Sequence, residues 1–392
     1  MAIRLGGERS PAVGLPQLPV IPLAGSTRQP FRPDLGRGQR RQLARQQLGI
    51  DADAFVVAFV GRLSFHSKAH PQVLYQALQA FAESADVSVT LVECGHHFNS
   101  EIAEAYRDLQ RHFPRVQFML VGGLTPASEG QKWQVLAAAD VFSSPADNLQ
   151  ETFGLSLLEA MAAELPLVVS DWDGYRDLVD HGHNGLLVPT SDVLPRFTQA
   201  DDLDHAYATQ QIDYDLMVGL RSCGVVIDRH ALTAAFAQLH ADPRRRLQMG
   251  KAGLEVLEQR FSEAAVTDLY RALWADLAER RALAGEQPQN VGELPALQPS
   301  QAKIFGHYAT TTLDCTKVRA DAASLAAGLV LNSMNRGLMQ QLVGAKLDEV
   351  IRELREAGQL DLKQLQNLGL SPQRGRRVLA ALLKLGLAEK AE

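Results

Sequence analysis

One repeating pattern limits what this chain can fold into: between residues 55 and 188, short apolar runs alternate with segments of helical spacing. The runs predict strands at Phe55–Leu63, Val87–Cys94, Val116–Val121, Val141–Ser144, Pro166–Ser170 and Gly185–Val188. The segments between them predict helices at 71–85, 100–113, 129–139 and 152–163. Alternation with short connections predicts an α/β fold whose parallel sheet is covered on both faces.

The rest of the chain divides around this region. Residues 1–50, rich in Pro, Gly and Arg, are interpreted as a remnant or linker segment with one short basic helix. The α/β domain spans 51–283, with an insertion at about 191–229 and helices at about 230–281. A linker rich in Pro, Gly and Gln is predicted at 284–300. Residues 301–392 are predicted to form a small, separate all-α domain.

Composition excludes several classes of protein. The net charge of -6 gives no basic field that would draw the whole chain to nucleic acid. No apolar run approaches the roughly 20 residues that span a bilayer, and no signal-peptide core follows Met1. The 3 cysteines are too few and too scattered for a disulfide framework. We therefore expect a cytoplasmic protein, with peripheral contact at the inner membrane face left open.

Ligands of parallel sheets bind at the carboxyl ends of the strands, and two segments there carry the chemistry. The first is Gly61-Arg62-Leu63-Ser64-Phe65-His66-Ser67-Lys68, a strand end followed by a loop with two cations. The second contains Glu151 and Glu159, eight residues apart, within QETFGLSLLEAMA. Eight residues are a little over two helical turns, so both carboxylates are expected on roughly one face.

An anion site is predicted between these carboxylates. The amides of Phe153, Gly154 and Leu155 are expected in the first helical turn, where N–H groups have no intrahelical partner. The expected anion is a diphosphate, and Arg62 and Lys68 would bind it from the neighbouring strand end. No metal is then needed to neutralise the leaving group, and no His/Cys cluster accompanies the two motifs to hold one.

Together the two segments resemble the nucleotide-sugar-binding domain of glycosyltransferases related to glycogen and sucrose synthases. These enzymes form family 4 in sequence classifications and have the GT-B fold. The resemblance covers roughly residues 50–280 and is carried by GRLSFHSKAHP and QETFGLSLLEAMAAELPLVVSDWDGYRDLV. It implies a Rossmann-like, doubly wound parallel sheet, one half of a GT-B fold.

The resemblance also implies a role for each matching residue. Glu151 would contact the hydroxyls of the donor sugar, and Glu159 the ribose. The amides from Phe153 to Leu155 would bind the phosphates, with Gly61 and His66 also lining the donor site. Arg62 and Lys68 would stabilise the departing diphosphate, and with Glu151 they are the predicted catalytic residues. The implied reaction is metal-independent and cofactor-free transfer of a hexose, with retention, to a glycan or lipid-linked acceptor.

Three departures from the family pattern stand out. Ala69 follows Lys68 where many relatives have Gly, and Glu164 replaces a common Gly after the second motif. Only about 50 residues stand where the family has a full N-terminal acceptor domain. We therefore expect a fragment or misassigned start, an inactive protein, or one completed by a separate chain that supplies the acceptor domain.

Two other functions compete with transfer. A chain without an acceptor domain could be a non-catalytic nucleotide-sugar-binding or regulatory protein. The helices predicted in 301–392 resemble a helix-turn-helix or winged-helix unit, with 13 Lys and Arg against 9 Asp and Glu. Its cluster of Arg374, Arg376 and Arg377 is the place where such a regulator would contact DNA. Nucleic acid is nonetheless not the expected partner.

Overall fold

The computed structural model of this chain describes residues 19–197, 200–284, 300–329 and 332–391. At its centre lies a six-stranded parallel sheet in the order β3-β2-β1-β4-β5-β6. The strands are β1 Phe55–Leu63, β2 Val89–His97, β3 Val116–Gly123, β4 Val141–Ser144, β5 Leu167–Ser170 and β6 Gly185–Val188. The predicted Rossmann-like, doubly wound sheet is confirmed.

Helices cover both faces of the sheet. The α-helices described between residues 37 and 284 are α1 Arg37–Leu48, α2 Gln72–Ala85, α3 Ser100–Gln110, α4 Glu129–Ala138, α5 Leu155–Ala162, α6 Tyr175–Leu178, α7 Asp202–Ala208, α8 Tyr214–Ser222, α9 Arg229–Ala241, α10 Pro243–Val256 and α11 Glu263–Ala284. Val57 faces one core with α2 and α9, while Val56 faces another with α4 and α5. Because alternate side chains of a strand point to opposite faces, a continuous apolar run suits a strand buried on both.

The strand order places a crevice between β1 and β4. These strands are neighbours, with Val57 paired to Val141, although two strands separate them in the chain. The loop after β1 leads to α2 on one face, and the loop after β4 leads to α5 on the other. A cleft opens where successive connections leave in opposite directions, and ligands of such sheets bind there.

Helix α1 is tied to the residues that precede β1 and β4 by a buried arginine. Arg45 is 2% exposed, and its guanidinium donates to the carbonyls of Ala52, Ala54 and Ala138 and to Asp140. The Arg45–Asp140 contact measures 2.7 Å. The basic helix predicted within 1–50 is therefore present and packed on the α/β domain, whereas residues 1–18 of that segment lie outside the described residues.

The segment predicted as an insertion forms a small sheet of its own. Strands β7 Thr190–Asp192 and β8 Val225–Ile227 are antiparallel and flank α7 and α8. After the predicted linker, most of which lies outside the described residues, the chain forms α12 Gln301–Phe305 and β9 Thr311–Thr312. Strand β9 pairs with β7 and gives the order β8-β7-β9. Residues 301–312 therefore complete this small sheet.

The C-terminal region is mostly helical, but the prediction that it is all-α needs correction. Its elements are β10 Lys317–Ala320, α13 Ala322–Ala326, α14 Ser333–Val343, α15 Leu347–Ala357, β11 Gln359–Asp361, α16 Leu362–Asn367, α17 Pro372–Lys384 and β12 Ala388–Lys390. The strands form an antiparallel sheet in the order β11-β10-β12. Strands of three or four residues are too short to show the period-2 alternation that predicts a strand. We call residues 317–391 the C-terminal unit.

The arginine cluster of α17 faces the protein. Arg377 is 2% exposed, and its guanidinium lies 2.6 Å from Asp201, the N-cap of α7. Arg374 donates to the carbonyls of Gln341 and Leu342. Arg376 lies 3.9 Å from Asp314. These internal contacts disfavour the reading in which this helix end binds DNA.

Candidate active site

The two predicted motifs meet in the crevice between β1 and β4. They lie on the β1–α2 loop, residues 64–71, and on the β4–α5 loop, residues 145–154. The ammonium of Lys68 lies 3.0 Å from Oε2 of Glu151, joining the two loops. The side chains are 26% and 16% exposed, so the pair remains open to a ligand.

Arg62 approaches the same loop from the end of β1. Its guanidinium donates to Oε1 of Gln150 at 3.4 Å, and the residue is exposed. A cation held by one long hydrogen bond at the surface can turn to an anionic ligand at little cost in free energy. The structure thus brings Arg62, Lys68 and Glu151 to one place, as the sequence predicted from strand adjacency.

The start of α5 differs from the predicted position. The helix begins at Leu155, three residues later than expected, and Gly154 is its N-cap with φ +99. Of the three predicted amides, those of Phe153 and Gly154 precede the helix, and only that of Leu155 lies in the first turn. A glycine is required at this N-cap, since a Cβ there would lie 2.7 Å from Cε1 of Tyr175.

Glu159 lies on α5, and its partner is a residue that sequence reasoning missed. Nζ of Lys132 in α4 lies 2.5 Å from Oε1 of Glu159 and 2.8 Å from Glu129. The two glutamates of the E-x7-E motif therefore each have a separate lysine, Lys68 for Glu151 and Lys132 for Glu159. The available signal was the position of Lys132 early in the helix after β3, beside the carboxyl end of the sheet.

Asn148 fixes the shape of the β4–α5 loop. It is fully buried, and its side chain donates to the carbonyl of His66 at 2.9 Å and accepts from the amide of Gln150 at 2.9 Å. Its own carbonyl accepts from Nε1 of Trp172 at 3.1 Å. The three hydrogen bonds fix the conformation of the β4–α5 loop just before Glu151. The bond to His66 also joins this loop to the β1–α2 loop.

His66 and Gly61 belong to the same corner of the sheet. The His66 ring lies 3.4 Å from Oγ of Ser64, and burial lowers the pKa of His66, so the ring is neutral at pH 7. Gly61 pairs with Gly95 across β1 and β2. A Cβ on Gly95 would lie 1.8 Å from the carbonyl oxygen of Gly61, so the backbone here leaves no room for a side chain at Gly95.

The start of α8, in the segment predicted as an insertion, adds two residues to the rim of the crevice. The hydroxyl of Tyr214 is hydrogen-bonded to the side chain of Gln150. Asp215 lies close enough to His66 to oppose the burial effect on its pKa. Neither residue carries a local sequence signal, because only the tertiary fold brings α8 to the two loops.

Two negative findings apply to residues 19–197, 200–284, 300–329 and 332–391. Within these ranges, no group of three or more His, Cys, Asp or Glu side chains is placed to hold a metal ion. No helix there is both long and apolar enough to cross a membrane.

The parallel sheet, its strand order and the paired loops at its crevice define a Rossmann-like α/β domain. Residues 40–194 match the family model described as Glycosyl transferases group 1. Over these residues the chain is therefore similar to that family.

The chain is similar to curated relatives over part of its length. It is 28% identical over 243 residues to D-inositol 3-phosphate glycosyltransferase of Corynebacterium aurimucosum, covering 62% of this chain and 48% of that protein. It is 36% identical over 156 residues to the enzyme of the same name from Saccharomonospora viridis, covering 39% of this chain and 35% of that one. The chain thus spans less than half the length of these relatives.

Among solved structures, sucrose-phosphate synthase from Thermosynechococcus elongatus is similar at 22% identity with a TM-score of 0.43. The match covers 67% of this chain and 53% of that one.

Proposed function

We propose that this chain is the donor-binding component of a glycosyltransferase that moves a hexose from a nucleotide diphosphate sugar to an acceptor. The observation that carries the proposal is the Lys68–Glu151 contact of 3.0 Å, which unites the two family motifs in the crevice. Lys68 and Arg62 supply two positive charges on one side of the crevice, and Glu151 supplies a carboxylate suited to sugar hydroxyls. A diphosphate bearing a sugar fits this arrangement.

The chemistry follows from these charges. As the bond between the anomeric carbon and the diphosphate oxygen breaks, negative charge grows on the leaving diphosphate. Lys68 and Arg62 stabilise that charge, and such preorganised stabilisation is usually the largest catalytic contribution. Lys68 must exchange Glu151 for the phosphate, which frees the carboxylate for the sugar. Retention of configuration, independence of metal ions and binding of the ribose by Glu159 are parts of the same proposal.

The first test measures binding of UDP-glucose and GDP-mannose by calorimetry in EDTA. Lys68→Met should weaken binding about 10-fold to 100-fold, because a hydrogen bond to a charged group contributes roughly 1.5–3 kcal/mol. Arg319→Met is the matched control, since Arg319 forms an ion pair of the same length, 3.0 Å, with Glu389 in the C-terminal sheet. If the unaltered chain binds neither donor nor the corresponding diphosphates, the proposal is wrong.

Turnover separates the enzyme from its main alternative. The chain is incubated with a bound donor and with glycan or lipid-linked acceptors, and released diphosphate and the anomeric configuration of the product are measured. Binding without transfer and without hydrolysis of the donor, even after a second protein of the source cells is added, would favour a non-catalytic nucleotide-sugar-binding protein.

We further propose that the acceptor is a glycan or a lipid-linked glycan and that a separate chain supplies an acceptor domain. The described residues form one Rossmann-like domain and the C-terminal unit, while the curated relatives are more than twice as long as the matched part. Transfer that appears only when a second protein of the source cells is added would support this arrangement. Transfer to a defined acceptor by the purified chain alone would contradict it.

A further inference from the structure

The last helix of the C-terminal unit places a lysine beneath the β4–α5 loop. Nζ of Lys384 lies 2.8 Å from Oδ2 of Asp147, and the two side chains are only 5% and 1% exposed. The same ammonium donates to the carbonyl of Ser222 at 2.6 Å. Both charges are removed from water, so neither can lose its partner without leaving an uncompensated charge inside the protein.

Asp147 belongs to the donor site through its neighbours. Its Oδ2 also accepts from the amide of His70, at the end of the β1–α2 loop, at 3.3 Å. The next residue is Asn148, whose side chain joins the two loops. Glu151, which pairs with Lys68, follows three residues later. The carboxylate of Asp147 therefore fixes both loops at their base.

A second set of contacts holds Lys384 in place. Nε2 of Gln72, at the start of α2, donates to the carbonyl of Leu385. Nδ2 of Asn335 in α14 donates to Oε1 of Gln72 at 2.6 Å. These residues are buried, so the C-terminal unit has a fixed register against the start of α2. A cavity of about 10 Å³ remains beside Lys384 and Asp147, so the ion pair is closely packed.

We infer that Lys384 is a positioning residue of the donor site, which acts through Asp147 to hold the β1–α2 and β4–α5 loops in the geometry that binds the diphosphate. The inference rests on the proposed function and assigns the C-terminal unit a role in it. The helix that a winged-helix protein would present to DNA here supports the donor loops instead.

The test compares two buried cations of α17 in the full chain. Arg377 is the matched control: it is 2% exposed, lies seven residues before Lys384 and pairs with Asp201, which is 0% exposed at its side chain, at 2.6 Å. Both Lys384→Met and Arg377→Met should lower the free energy of unfolding. Only Lys384→Met should weaken binding of UDP or GDP, by at least 10-fold, under conditions where both variants are folded.

Hydrogen exchange gives a readout that does not depend on a nucleotide. Lys384→Met should accelerate amide exchange across residues 145–151, whereas Arg377→Met should accelerate it near the start of α7. If Lys384→Met does not fold, Asp147→Asn is the second variant, because it retains the size of the side chain and the Lys384–Ser222 bond. It leaves the buried ammonium of Lys384 without its carboxylate partner and should likewise weaken nucleotide binding by at least 10-fold.

Equal effects of Lys384→Met and Arg377→Met on affinity and on exchange of residues 145–151 would overturn the inference. An unaltered chain that binds no nucleotide while Lys384→Met still loosens residues 145–151 would instead refute the proposed function. The two failures are therefore distinguishable.

Discussion

Lys132 and Glu159 form an ion pair of 2.5 Å that connects α4 to α5 behind the crevice. The side chains are 15% and 29% exposed. Lys132 also contacts Glu129, so it retains an acidic neighbour when Glu159 turns to a ligand. This arrangement allows Glu159 to contact a ligand while Lys132 keeps Glu129 as an ion-pair partner.

Glu159→Gln should therefore affect nucleoside recognition and leave the fold intact. If Glu159 binds the ribose, the variant should bind UDP about 10-fold more weakly, the loss expected for a charged hydrogen bond. Its affinity for inorganic pyrophosphate should not change, because pyrophosphate has no ribose. Calorimetry with the two ligands checks this, and equal losses for both would contradict the assignment.

Gly154→Ala should impair the donor site through the backbone. The position has φ +99, and the added Cβ would meet the Tyr175 ring, which is buried and fixed by a 2.9 Å bond to Ser144. We expect a loss of about 1–3 kcal/mol in the free energy of unfolding, together with weaker nucleotide binding. Gly130→Ala in α4 is the control, since a Cβ there meets nothing within 4 Å. That variant should be neutral or stabilised by up to about 1 kcal/mol. Urea unfolding of the two variants measures the difference.

Arg45→Met should be among the most destabilising changes to α1. It would remove five hydrogen bonds and leave Asp140, which is 5% exposed, without its closest cation. Breaking a buried pair from one side costs about 3–5 kcal/mol. Arg41→Met is matched, because Arg41 contacts the same Asp140 at 2.9 Å but is 34% exposed. It should cost about 1 kcal/mol or less. Similar losses for both variants in urea unfolding would contradict this reading of α1.

The stability of the protein should decrease as pH rises through a defined window. Burial raises the pKa of Glu93 to about 7 from an ordinary value of 4.5, although Tyr75 and Gln110 donate hydrogen bonds to it. The folded state then holds a proton that the unfolded state has lost, so the free energy of unfolding falls between about pH 5 and pH 7.

Glu93→Gln should remove part of that fall and make the protein relatively more stable above about pH 7. Burial also raises the pKa of Asp192 to about 7. Part of the decrease in the free energy of unfolding with pH should therefore remain until Asp192→Asn is added. Urea unfolding at several pH values checks the order of these effects. A slope unchanged by either substitution would show that other groups cause it.

The sheet could be predicted from the sequence because its signal is local. The continuous apolar run FVVAFVGRL indicates a strand that is buried on both faces. The helices that connect successive strands then require the strands to be parallel. The contact between Lys68 and Glu151 follows from that topology, since the two residues lie in the loops after β1 and β4, which are neighbouring strands.

The parts that escaped prediction depend on geometry that no local pattern contains. The pattern predicts a helix from residue 152, but the left-handed Gly154 is the N-cap, so Thr152 and Phe153 belong to the loop before it. Glu164, which stands where the family commonly has Gly, takes φ +60 after α5 and forms an ion pair with Arg40 at 3.1 Å. The contact between Lys384 and Asp147 joins residues far apart in the chain, and periodicity within either helix or loop cannot indicate it.

The order of strands in the C-terminal sheet affects how this region assembles during synthesis. Its central strand, β10, is made before the helices of the unit, while one of its two neighbours, β12, is made after them. One edge of β10 therefore stays open until the ribosome has completed α17 and the residues beyond it. A nascent chain paused before that point exposes a bare strand edge, the feature that invites pairing with another molecule. Slow translation of this stretch would therefore favour aggregation of the nascent chain.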